Sequence, residues 1–186
     1  MEDLGLDPKL VDKTLDFKKV NDNKKKLYAA LDLGTNSCRM LIARPTGSRF
    51  EIVDAFSKSI RLGLDLERTG ELSQAGISRA LQALHVCAKK INKFGVKNSR
   101  LVATEACRRS INGKSFLIKV KKETGLSLEL IKPEEEARLA VISCAPLFDP
   151  NFSHVLIVDI GGGSTELVWM DSVSYTHLTL PTNREV

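Results

Sequence analysis

Two stretches of this 186-residue chain put carboxylates, hydroxyls and glycines where a phosphate could be held. One is Val155-Leu-Ile-Val-Asp159-Ile-Gly161-Gly162-Gly163-Ser164-Thr165-Glu166-Leu-Val-Trp-Met170. Apolar runs rich in Val flank its glycine turn, the pattern of a β-hairpin. Glycines let the backbone turn sharply and come close to a ligand. Asp159 stands before the turn and Glu166 after it. Glycines, a hydroxyl and flanking acids suit a phosphate bound by backbone N–H groups with a divalent cation beside it. Alone, the same residues could be a turn that only connects two strands.

A second copy changes that reading. Tyr28-Ala-Ala-Leu-Asp32-Leu-Gly34-Thr35-Asn36-Ser37-Cys38-Arg39-Met-Leu-Ile-Ala43 falls on the same template. Asp32 matches Asp159, Gly34 matches Gly161, Ser37 matches Ser164, and Arg39 takes the place of Glu166. Two hairpins in register imply a duplicated architecture whose turns face each other across a cleft. That is the layout of the actin-like phosphotransferase fold.

The elements that must position these turns follow from pattern. Residues 1–26 read as an extension, with a short helix expected over 8–20 and a lysine-rich linker after it. Strands are expected over about 27–33, 38–43 and 50–60, joined by Gly34–Ser37 and by Thr46-Gly47-Ser48. Arg61-Leu-Gly63-Leu-Asp65-Leu reads as a loop. The spacing of Ile77, Leu81, Leu84, Ala88 and Ile91 predicts a helix over 73–94, with Ser73 as N-cap and Gly95 as terminator. His85 within it reads as a half-buried structural histidine.

A buried strand over 101–104, a helical turn over 105–109, a helix over 114–123 and a strand over 126–131 come next. Pro133 and the acids Glu134, Glu135 and Glu136 then open another helix, where negative charge favours the positive end of the dipole. Residues 146–153 are a linker to the second hairpin. The result is an α/β protein: an actin-like ATPase (ribonuclease H-like) domain with a mixed five-stranded sheet over 27–150, and the first hairpin of a second such domain over 151–172. The tail 173–186 resembles a translated sequencing adaptor and stands outside this scheme, and the chain reads as a piece of a longer protein.

Composition narrows the function classes. With 42% hydrophobic and 27% charged residues the chain reads as globular, and no apolar run approaches the roughly 20 residues that cross a bilayer. The acidic start lacks the order of a secretory signal. Cys38, Cys87, Cys107 and Cys144 are widely spaced, as in reduced cytoplasmic proteins. Net charge is +5, which suits an anionic partner. Aromatics are only 5% and are not interleaved with the lysines, which argues against a nucleic-acid stacking platform.

The residues Asp32-Leu-Gly-Thr-Asn-Ser-Cys-Arg39, Arg61-Leu-Gly63, Ala103-Thr-Glu-Ala-Cys-Arg108 with Asn112, Glu135-Glu-Ala-Arg138 and Asp159-Ile-Gly-Gly-Gly-Ser-Thr-Glu166 together resemble the Ppx/GppA family of exopolyphosphatases and guanosine pentaphosphate phosphohydrolases. They stand in family order over roughly 27–171. The resemblance implies hydrolysis of a terminal phosphoanhydride of polyphosphate or guanosine pentaphosphate, with Mg2+, by a homodimer at full length. It makes Glu136 the general base that activates water, Arg108 the ligand of the phosphate under attack, and Glu166 a further wall of the site. Gly161, Gly162, Gly163 and Ser164 would cradle phosphate on one side, and Gly34, Thr35, Asn36 and Ser37 on the other. Asp159 and Asp32 would serve the metal.

Chemistry is consistent with such roles, because phosphoryl transfer needs positioning and charge neutralisation more than covalent help. Each residue also has a plainer role. The three glutamates could only complement the helix dipole, Glu135 and Arg138 could form a surface pair, and Arg108 could be an exposed helix charge. Glu105 and Arg39 receive no role. The alternatives are an actin-like ATP-dependent sugar or acetate kinase, and a non-catalytic sensor of polyphosphate or nucleotide. The hairpin 154–171, expected to stand alone, should leave this chain aggregation-prone and inactive.

Overall fold

A computed structural model describes residues 26–47, 49–149, 151–171 and 175–181. The helix expected over 8–20 and most of the linker after it lie outside the described residues. The chain divides into two compact units, with the boundary between Ile131 and Lys132.

The first unit is built on a hairpin. Strand β1 (Tyr28–Leu33) pairs antiparallel with β2 (Ser37–Thr46), and β2 pairs antiparallel with β3 (Arg49–Ser59). Helix α1 (Leu66–Thr69) is a single turn that ends the predicted loop, entered through Asp65 in left-handed backbone. Helix α2 (Gln74–Lys93) begins as predicted, with the Ser73 side chain accepting from the Gly76 N–H, and Gly95 follows it at φ 61°. Strand β4 (Asn98–Ala103) runs parallel to β1 and starts three residues before the expected position.

Short helix α3 (Glu105–Arg109) follows, then α4 (Gly113–Thr124). Strand β5 (Glu129–Leu130) has two residues rather than the six expected, pairing parallel with the end of β4 before Pro133 turns the chain into the next helix. The sheet order β3-β2-β1-β4-β5 is the mixed five-stranded arrangement the pattern implied. Alternation along β1 and β2 buries Ala29, Leu31, Leu33, Cys38, Met40 and Ile42 on one face. These pack with Ala80, Leu84 and Cys87 of α2 and Phe116 and Val120 of α4. Each fully buried aliphatic side chain there contributes about 1.5–3 kcal/mol. His85 lies on the exposed side of α2, not half-buried, because the apolar stripe of the helix leaves it facing solvent.

The second unit holds helix α5 (Pro133–Cys144), a 3-10 turn (Ala145–Leu147) and a three-stranded sheet. Strands β6 (His154–Ile160) and β7 (Ser164–Asp171) form the predicted hairpin. Strand β8 (Tyr175–Pro181), from the tail set aside above, adds antiparallel to β7. The hairpin therefore does not stand alone: one edge is paired, and Ala137 and Val141 of α5 pack on Ile157 and Val168. Among the described residues no helix is long and apolar enough to cross a membrane.

Candidate functional site

Both glycine turns close with the same hydrogen bond. The Gly34 N–H donates to the Ser37 carbonyl at 2.9 Å, and the Gly161 N–H donates to the Ser164 carbonyl at 2.8 Å. Directly opposed residues of an antiparallel pair share a face. Asp32 thus lies beside Arg39 and Asp159 beside Glu166. The template read from sequence is the same turn twice, with a cation facing the acid in one copy and a second acid in the other.

In the first unit three quoted motifs converge at the C-terminal ends of β1 and β4, where parallel strands present their ligand-binding loops. The Ile60 and Arg61 N–H groups both donate to the Asn36 carbonyl, at 2.8 and 2.9 Å, and the Gly63 N–H donates to the Thr35 carbonyl at 3.0 Å. This explains Arg61-Leu-Gly63, whose role the sequence did not disclose. A Cβ at Gly63 would overlap Thr35 Cγ2, and Thr35 is only 7% exposed. Arg61 itself sits at φ 45°, unusual for a residue with a side chain. Arg79 of α2 holds that backbone, its Nε donating to the Ile60 carbonyl at 2.7 Å and its Nη2 to the Arg61 carbonyl at 3.1 Å. In this turn Gly34 and Ser37 are half-buried and Asn36 is exposed.

Helix α3 adjoins the same turn, since the Thr104 N–H donates to the Leu33 carbonyl at 3.3 Å and Ala106 approaches Gly63. Arg108 is held in place: Nη1 donates to the Ile131 carbonyl at 2.8 Å and Nη2 meets Glu105 Oε2 at 2.6 Å. Glu105 was passed over in the sequence, although its i,i+3 spacing from Arg108 is a readable signal. Asn112 braces rather than binds, its side-chain amide exchanging two hydrogen bonds with the backbone of Leu72 at 2.9 and 3.0 Å. Two thiols stand close to these residues. Burial pushes Cys107 up to about 12, and a hydrogen bond with Cys87, together with burial, raises Cys38. Neither supplies a thiolate nucleophile at neutral pH.

In the second unit Ser164 is buried and Asp159 exposed, while Gly161 is exposed and Gly162 and Gly163 are half-buried. Gly161 is needed for close approach, not for left-handed backbone: a Cβ there would lie 2.9 Å from the Ser164 carbonyl oxygen. Glu166 is 1% exposed, and its Oε1 has no hydrogen-bond partner among the described residues. A buried carboxylate oxygen without a donor is expensive, and such groups are kept where a ligand completes them.

Glu136 lies half-buried in the first turn of α5. Ala137, the next residue, packs with Val168, which is two residues from Glu166 on the same strand face. Glu135 and Arg138 form the expected pair, at 2.6 and 2.9 Å.

No group of three or more His, Cys, Asp or Glu that could hold a metal occurs among the described residues. Mg2+ needs no such cage, since it usually takes one or two carboxylates with phosphate oxygens and water. Asp159 and Glu166, opposed in the strand register, are of the type that donor set requires. Asp32, the other carboxylate expected to serve the metal, lies opposite Arg39 in the strand register.

Residues 41–179 match the Ppx/GppA phosphatase family. The crystal structure of the Aquifex aeolicus member of that family is 36% identical, with a TM-score of 0.72 over 84% of this chain and 51% of its own. An exopolyphosphatase-like protein is 30% identical, with a TM-score of 0.75 over 84% and 50%. An exopolyphosphatase from Cytophaga hutchinsonii, 24% identical, shares the fold at a TM-score of 0.75 over 83% and 50%. The chain spans about half the length of these solved structures. Its fold is the actin-like ATPase fold of those proteins, and the chain belongs to the Ppx/GppA phosphatase family.

Proposed function

We propose that the protein hydrolyses the terminal phosphoanhydride of inorganic polyphosphate or of guanosine pentaphosphate, releasing orthophosphate. The observation that carries this reading is Glu166, a buried carboxylate with one oxygen unpartnered among the described residues, opposed to Asp159 beside a glycine turn. A plain connecting turn has no use for such a charge.

Arg108 binds the phosphate under attack, and the backbone of Gly161–Ser164 and of Gly34–Ser37 cradles the anionic chain. Water attacks the terminal phosphorus, its proton passes to the Glu136 carboxylate, and the bond from phosphorus to the bridging oxygen breaks towards the shortened chain. Asp159 with Glu166 would hold Mg2+, which would supply neutralisation of phosphate charge.

The test is phosphate release by the full-length protein from medium-length polyphosphate and from guanosine pentaphosphate with Mg2+. Glu136→Gln should lose about 10²–10⁴-fold in kcat, the usual contribution of a positioned base. Unchanged turnover removes Glu136 from the mechanism. Binding without release points to a sensor, and ATP-dependent phosphorylation of a sugar or acetate to a kinase.

A further inference from the structure

The guanidinium of Arg108 is fixed from two sides within its own unit. One nitrogen donates to the Ile131 carbonyl at 2.8 Å and another to Glu105 Oε2 at 2.6 Å. Both charged side chains are 15% exposed, so water screens the pair weakly. The other carboxylate oxygen of Glu105 faces Arg109 Nε at 3.6 Å, and Arg109 in turn lies 3.8 Å from Glu67. Glu105 is thus a fixed post, tied between two arginines, not a loose surface acid.

A guanidinium is planar, with its donors in a rigid fork. Two contacts on different nitrogens define that plane, and with it the direction of the remaining N–H bonds. We infer that Glu105 is the positioning residue that aims Arg108 at the terminal phosphate, an inference that rests on the phosphohydrolase reading above. Its carboxylate also offsets part of the charge of Arg108. Removing it should therefore harm orientation while leaving the attraction for an anion intact.

The experiment measures kcat and KM of the full-length protein on medium-length polyphosphate with Mg2+, for wild type, Glu105→Ala, Glu105→Gln, Arg108→Ala and the Glu105→Ala/Arg108→Ala double variant. A misplacement of about 1 Å costs about 10²-fold in rate, so Glu105→Ala should lose about 10–10²-fold in kcat with KM moved less than about 3-fold. The amide oxygen of Glu105→Gln still accepts a hydrogen bond, but without charge assistance it is roughly half as strong, so kcat should fall between the two. In the Arg108→Ala background Glu105→Ala should cost nothing further, because the group it positions is gone.

If Arg108→Ala lowers kcat and the Glu105 variants do not, the positioning role is overturned and the phosphohydrolase reading stands. A Glu105→Ala effect confined to KM, or one that persists in the Arg108→Ala background, also overturns it. If Arg108→Ala itself leaves turnover unchanged, the site reading fails and the inference with it. Should Glu105→Ala fail to fold, the isosteric Glu105→Gln decides alone: several-fold lower kcat at constant KM supports the role, and wild-type kcat refutes it.

Discussion

Replacing Gly63 by alanine puts a methyl group where Thr35 already is. The new Cβ would overlap Thr35 Cγ2, with Ala106 Cβ 3.7 Å away on another side. Thr35 cannot simply step aside, because its carbonyl accepts from the Gly63 N–H at 3.0 Å and the neighbouring Asn36 carbonyl takes two further N–H groups. Overpacking of this kind costs about 1–3 kcal/mol. For a chain of this size that corresponds to a fall in Tm of about 2–12 °C. Thermal unfolding followed by circular dichroism measures it directly.

The same clash identifies its own remedy. Thr35→Ser deletes the overlapping methyl and keeps the hydroxyl, so Gly63→Ala/Thr35→Ser should recover at least half of the lost stability. The coupling should be on the order of 0.5–3 kcal/mol, as for residues in direct contact. If Gly63→Ala unfolds at the wild-type temperature, or if Thr35→Ser fails to relieve it, the two loops are not packed as argued.

Three other outcomes follow from the same coordinates. Glu166→Gln removes a buried charge with one oxygen unpartnered among the described residues, so it should raise stability by on the order of 1–3 kcal/mol while abolishing the proposed phosphate release of the full-length protein; a less stable variant would mean that the carboxylate is satisfied in the protein alone. The Lys90 ammonium, hydrogen-bonded to Asp54 at 2.6 Å, holds that carboxyl below its ordinary 3.8, so the native state binds fewer protons and this contribution is present above pH 3.8 and lost as pH falls through the lower folded value. Acid unfolding should then show a wild-type advantage over Asp54→Asn that shrinks below pH 3.8, and a pH-independent difference would refute the pairing. Leu156, Val158, Ile160, Trp169, Leu178 and Leu180 line one exposed sheet face, with Ile160 71% exposed, so the 186-residue chain should self-associate and Ile160→Glu should reduce the association seen by sedimentation.

What could be read before the structure was what is local. The hairpins, the Ser73 cap, the proline-led α5 and the Glu135–Arg138 pair each depend on residues within a few positions of one another, so spacing reveals them. The missed features join distant positions. Arg79 reaches carbonyls 18 and 19 residues earlier, and Asn112 brackets Leu72 across 40 residues. No periodicity encodes such contacts. Strand β5 shrank to two residues because an edge position near Pro133 sustains little pairing, whereas the sequence showed the alternation of Leu126, Leu128 and Leu130 over six residues. Tyr175–Pro181 became a strand because an open edge of β7 accepts any alternating segment that reaches it, whatever its origin. Glu166 stood out from its motif, but its orphaned oxygen is a property of packing alone.

The brace behind the first glycine turn also sets its polarity. A trans peptide holds each carbonyl antiparallel to the N–H of the residue that follows. With the Thr35 and Asn36 carbonyls pinned to Gly63, Ile60 and Arg61, the Asn36 and Ser37 N–H bonds are committed to point the opposite way. Their dipoles are therefore oriented during folding, and an anion held there as proposed would meet a field that needs no rearrangement to receive it.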